Sequence, residues 1–158
     1  MKNKKEIIII LIVSIIIFLI DQISKFYITS TMSLTDTIHI IKNLFRITYV
    51  QNTGAAWSIL SDSTFLLILI TFLVLGMIIY FLLKQKTVEK SEQLIYGSLI
   101  GGVLGNLIDR IRFGYVVDFL DFNFGSFYFP VFNLADTFIV LAGIILIIKL
   151  MKEDVKNV

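Results

Sequence analysis

Two acidic side chains carry the most suggestive chemistry in this chain. Asp118 sits among Val116, Val117, Phe119 and Leu120, a carboxylate with no charge partner beside it in sequence. Asp136 follows 18 residues later, across a turn-rich stretch holding Gly125 and Pro130 that is long enough to fold back and bring the two carboxyls together. Neighbouring carboxyls cannot readily both ionise, so such a pair would share one proton near neutral pH and present an acid and a base side by side. The spacing permits the pair without requiring it. Asp118 could be a loop acid facing water, as Asp121 is expected to be. Asn133 and Asp136, at N-cap-like spacing, could simply cap a helix and answer its dipole.

Other polar residues fall into short groups. Asp21 and Lys25 stand four apart on one helical face, which suits either a local ion pair or a direct role. Asn106, Asp109 and Arg110 share the helical face that adjoins Gly101, Gly102 and Gly105, the arrangement of an anchoring network. The donor fork of Arg110 would also suit a carbonyl or phosphate oxygen. Asn52, Gly54, Ala55, Ala56 and Trp57 form a small-residue turn ending in one large amphipathic ring, either a hinged element at headgroup level or a plain interfacial anchor. The single histidine, His39, reads as a surface residue, and with no cysteine the chain offers no disulfide, thiolate nucleophile or Cys-ligated metal. No metal site is expected.

These residues must be positioned by elements that live in lipid. Of 158 residues 57% are hydrophobic and 16% charged, against about 45–50% and about 25% in soluble domains. A net charge of +2 from 14 basic and 12 acidic residues argues against a nucleic-acid partner. Four spans are predicted, at about 6–26, 63–83, 94–111 and 134–151, since about 20 apolar residues in a helix cross a hydrocarbon core of about 30 Å. The first could be mistaken for a secretory leader, with Lys2, Lys4 and Lys5 ahead of an apolar run; Asp21, Gln22 and Lys25 follow it in place of a small-residue cleavage site. Gly97, Gly101 and Gly105, four apart, leave one face of the third span nearly bare, so it should be the central, closely packed helix. Lys149 lies near enough to the end of the fourth to snorkel.

Lys2, Lys4, Lys5, Lys84, Lys86, Lys90, Lys149, Lys152 and Lys156 gather on one side of the membrane, against Lys25, Lys42, Arg46, Arg110 and Arg112 on the other. The basic excess predicts both termini in the cytoplasm and outer segments at about 27–62 and 113–133. Short strands are expected around Phe45, Ile47 and Tyr49, and extended pieces on the membrane surface in the second outer segment. With this topology Asp21, Asn106, Asp109, Arg110 and Asp136 all land at the outer ends of their helices, as one polar layer. Intramembrane ionisable groups that gather at one depth usually line a cavity or reaction site. A small proton-coupled transporter or channel would instead place acids at mid-depth, and a structural assembly factor would not need the two aspartates.

The motifs together resemble the lipoprotein signal peptidases, or type II signal peptidases. They are Asp21-Gln22-Ile23-Ser24-Lys25, Asn52-Thr53-Gly54-Ala55-Ala56-Trp57, the run from Gly101 to Arg110, Val116-Val117-Asp118-Phe119, and Phe132-Asn133-Leu134-Ala135-Asp136. Each is weak alone; five in order at the appropriate ends of four spans are specific. The resemblance implies one membrane-embedded domain over 1–158: an α-helical integral membrane protein with four transmembrane helices, a small extracytoplasmic β-containing cradle and a short interfacial lid helix over about Gly54 to Leu60. It implies an aspartyl endopeptidase of the bacterial cytoplasmic membrane, monomeric and without cofactor. Its substrates would be diacylglyceryl-modified prolipoproteins, cut on the extracytoplasmic side just before the lipidated cysteine. Asp118 and Asp136 would be the catalytic pair, Asn52, Gly54, Asn106, Arg110, Asn133 and Trp57 would shape the site, and Asp21, Lys25 and Asp109 would hold its frame. A helix N-terminus favours Asp136 as the ionised member, although coupled groups titrate as a pair.

Overall fold

The computed structural model describes residues 4–54, 59–60, 63–125 and 127–156. Four helices, α1 (Lys4–Thr31), α2 (Thr64–Lys84), α3 (Lys90–Phe113) and α4 (Leu134–Lys156), are each long and apolar enough to cross a membrane. Trp57 and most of the expected lid helix lie outside the described residues.

The helices run past the expected spans where polar side chains satisfy or neutralise their ends. Ser24, Thr29 and Thr31 bond back to carbonyls of the preceding turn, carrying α1 beyond the hydrocarbon stretch to Thr31. Glu89 and Glu92 close a reciprocal capping box, so α3 starts at Lys90, earlier than its apolar run. It ends at Gly114, whose φ of 81° belongs to the left-handed region and whose N–H returns to the Arg110 carbonyl.

α3 is the central helix, with 61% of its apolar window buried against 11–22% for the other three. The glycine face makes this possible. A Cβ on Gly101 would lie 2.5 Å from the Ser14 carbonyl of α1, and one on Gly105 would lie 2.5 Å from Asp21 Oδ2. With hydrogen in those places the backbones of α1 and α3 come together without the hydrophobic drive that water would supply. The contacts advance in step, Gly97 on Val13, Gly101 on Ser14 and Ile17, Gly105 on Asp21, so α1 and α3 run parallel. α4 packs antiparallel on α3, Gly102 meeting Ala135 and Ile139 near its start and Ala142 joining Ile95 and Leu99 further along.

At the end where α1 and α3 finish, an antiparallel sheet orders its strands β1 (Thr37–Ile41), β2 (Phe45–Asn52), β3 (Val116–Phe124) and β4 (Phe127–Tyr128). The expected strand around Phe45 to Tyr49 is β2, and the second outer segment supplies β3 and β4. Tyr49, Val117 and Phe119 bury their side chains with Ile28 of α1 and Met32 just beyond its end, which seats the sheet on the helices. A shift in register between Ile47 and Val50 sets Val50 opposite Asp118 and Asn52 opposite Val116. The loop before α4 is pinned to β3 by paired backbone bonds between Leu120 and Phe132, at 2.7 and 3.1 Å.

Asp121 does not face water as expected. It is buried, ion-paired to Arg46 at 2.8 Å and bonded to the Thr48 hydroxyl at 2.8 Å, because the β2–β3 register places Arg46 directly opposite it.

Candidate active site

Asp118, on β3, and Asp136, in the first turn of α4, face one cavity of about 450 Å³. Asn52, Asn106 and Arg110 line it with them, and Val116, Phe129, Pro130, Phe132, Val140 and Leu141 give it an apolar wall. Every expected site residue among those described is drawn to this neighbourhood.

Three asparagines present the donors. Asn52 accepts the Gly54 N–H on Oδ1 at 2.9 Å, which turns its amide nitrogen toward Asp118 Oδ2, 2.8 Å away. Asn133 accepts the Asp136 N–H at 2.9 Å, which turns its nitrogen toward Asp118 Oδ1 at 2.6 Å and Asn106 Oδ1 at 3.1 Å. Asn106 accepts the Lys25 ammonium at 2.9 Å and donates to Asp136 Oδ1 at 2.7 Å. Backbone N–H and ammonium groups can only donate, so each carboxamide has one admissible orientation, and all three offer N–H to a carboxylate. The second oxygen of Asp136 accepts the Asn133 N–H at 3.3 Å, closing a capping box. Capping thus uses one oxygen of Asp136 and the Asn106 amide uses the other, at the cavity.

Asp118 is 2% exposed, and burial together with the nearby Asp136 carboxyl pushes it up to about 7. Among the described residues, neither acid has a lysine or arginine within salt-bridge reach. Arg110 instead holds the Gly54 carbonyl at 3.0 Å, the carbonyl grip its donor fork suited, and its buried Nε has no partner among the described residues.

Behind the site lies the anchoring network. Lys25 sits between Asp21 at 2.8 Å and Asp109 at 2.9 Å, all three buried. Asp21 also accepts the Ala135 N–H at 3.0 Å, fixing the start of α4, and Asp109 accepts the Val117 N–H at 3.3 Å, fixing β3 one residue from Asp118. The local ion pair expected between Asp21 and Lys25 is thus one edge of a junction joining α1, α3, β3 and α4. Sequence reasoning passed over Gln22, whose amide donates to Asp21, Asp109 and the Gly105 carbonyl. Its place next to Asp21 at the outer end of α1 was the available signal.

Comparison with known proteins follows the same residues. The model of the family described as signal peptidase (SPase) II matches residues 13–152. The chain is 44% identical over 143 residues to a lipoprotein signal peptidase of Halothermothrix orenii, covering 90% of this chain and 95% of that protein. It is 40% identical over 153 residues to one of Staphylococcus haemolyticus, covering 97% of each. A solved bacterial membrane enzyme structure superposes with a TM-score of 0.85 at 35% identity, over 92% of this chain and 88% of that one.

Proposed function

Because this chain belongs to the signal peptidase II family, we propose that it removes signal peptides from prolipoproteins in the bacterial membrane, as an aspartyl protease whose pair is Asp118 and Asp136. One observation carries the mechanism: two carboxyls, Asp118 buried and Asp136 partly buried, share a cavity and a lattice of amide donors, with no cation paired to either among the described residues. Such a pair keeps a proton. The ionised member takes a proton from water as the water oxygen attacks the scissile carbonyl carbon. The protonated member hydrogen-bonds the carbonyl oxygen. As the tetrahedral intermediate collapses and the C–N bond breaks, a proton passes to the leaving amine. The carboxyl of Asp118, raised to about 7, suits the protonated role. Chemistry of this form requires neither a covalent enzyme intermediate nor a metal.

The preferred substrate is a diacylglyceryl-modified prolipoprotein cut before its lipidated cysteine. Val140 and Leu141 form part of the cavity wall and are also more than half exposed on α4, so acyl chains could stay in lipid while the peptide bond reaches the carboxyls. Remote binding of that kind orients a bond for attack. In this reading residues 1–158 form one domain acting as a monomer, both termini are cytoplasmic, and the site opens on the extracytoplasmic side. Asn52, Gly54, Asn106, Arg110 and Asn133 support the pair, and Asp21, Lys25 and Asp109 hold it in place. Acids clustered at one end of the bundle disfavour a proton path across it.

The test is incubation of purified protein in detergent with a lipidated preprolipopeptide. Release of the signal segment, lost in Asp118→Asn and in Asp136→Asn, is expected. Turnover near that of the parent in either variant would overturn the pair.

A further inference from the structure

The two halves of the amide lattice end differently. Asp118 is served by Asn52 and Asn133, and both of those carboxamides are oriented by neutral backbone N–H groups, from Gly54 and Asp136. Asp136 is served by Asn106, whose carboxamide is oriented by an ammonium. Lys25 has three N–H donors and uses one on each of Asp21, Asp109 and Asn106, at 2.8, 2.9 and 2.9 Å. Two carboxylates would already satisfy a buried ion pair. The third bond runs toward the cavity. A cation on the oxygen of a conjugated amide polarises its N–H, and linked hydrogen bonds in a dry interior strengthen one another. The N–H so polarised meets Asp136 Oδ1 at 2.7 Å.

We propose that Lys25 is a positioning residue of the reaction, whose ammonium acts through Asn106 to draw the single negative charge of the aspartate pair onto Asp136. This rests on the aspartyl reading above and assigns its roles: Asp136 is the base that activates water, and Asp118 is the acid. Among the described residues, the charged groups facing the pair are Asp21 and Lys25 from α1, Asp109 and Arg110 from α3, and the two aspartates themselves; β2 presents the neutral Asn52.

The experiment is a pH–rate profile on a lipidated preprolipopeptide for Lys25→Met and for Lys25→Met combined with Asp109→Asn. The double change keeps the formal charge of the Asp21, Lys25 and Asp109 group at the parent value of minus one, and so carries the test if the single variant does not fold. In both, the acidic limb should move to higher pH by about one unit, an about tenfold loss of turnover on that side, with KM little changed. A double variant with the parent profile would mean that Lys25 only offsets Asp109 and Asp21, and would overturn the inference. Asp136→Asn in the parent background separates the two claims. Activity there removes the aspartyl reading itself, whereas an inactive Asp136→Asn beside an unmoved limb in the double variant removes the role of Lys25 alone.

Discussion

The molecule holds two pairs of aspartates within one polar layer, and they are held in opposite ways. Asp21 and Asp109 have a lysine between them, at 2.8 and 2.9 Å, with backbone N–H groups on their remaining lone pairs. Asp118 and Asp136 have asparagines and a helix start. A cation between two carboxylates offsets their charge and makes them a joint of the fold. In the proposed mechanism, neutral donors leave the second pair to share a proton, which is poor for stability and useful for chemistry. The neighbouring cation sets the lysine-bridged pair apart from the pair proposed to react.

The sharpest way to break this contrast is to neutralise each pair in turn. Asp118→Asn and Asp136→Asn should lower turnover by more than about 10³-fold while the protein stays folded in the membrane, read by peptide cleavage beside a thermal melt. Asp21→Ala should do the reverse, costing about 3–5 kcal/mol in a reversible denaturation because it removes one of the two carboxylates on the buried Lys25 and leaves the Ala135 N–H without its acceptor, with the residual folded enzyme still cutting. If Asp21→Ala were as stable as its parent, the joint would not be one.

A subtler separation uses pH. Asp118 is raised on folding from an ordinary carboxylate value to about 7, so its contribution to stability is present at low pH and lost as pH rises toward 7. Asp118→Asn should therefore melt higher than the parent at pH 8, by a few kcal/mol, and lose that advantage near pH 4. Turnover of the parent should fall as pH rises past about 7, where the shared proton leaves.

Smaller effects are expected where the layer is only supported. Gly105→Ala would push a methyl onto Asp21 Oδ2 and should cost about 1–3 kcal/mol in the same denaturation. Arg46→Met removes the partly exposed partner of Asp121 and should cost at most about 1 kcal/mol, with cleavage unchanged.

Much of this was legible from local pattern. Apolar run length marks four helices, the glycines at 97, 101 and 105 mark the central one, and the alternation of the spans sets the polar residues at one end. What local pattern does not carry is partnership across distance. Nothing near Asp121 announces Arg46, which sits 75 residues earlier and meets it only through the β2–β3 register. Asp136 taken alone reads equally as a cap, and the structure shows why: the capping bond and the cavity-side bond from Asn106 use different oxygens of one side chain. The asparagines were legible as polar residues near an acid; that each is turned by an unambiguous donor is a property of the assembled lattice. The lattice also enlists Gln22, which the ion pair beside it had overshadowed.

The parallel run of α1 and α3 has a consequence for α2. Two neighbouring helices that point the same way cannot be joined by a short turn, so something must carry the chain back across the bilayer between them. α2 does this with Leu67 as its buried residue, while Phe65, Leu73 and Leu83 are 81%, 61% and 65% exposed. It is a return stroke more than a wall. Its spelling should accordingly be replaceable by almost any apolar helix of equal length, which makes it the natural place to cut the gene in two and ask the halves to reassemble.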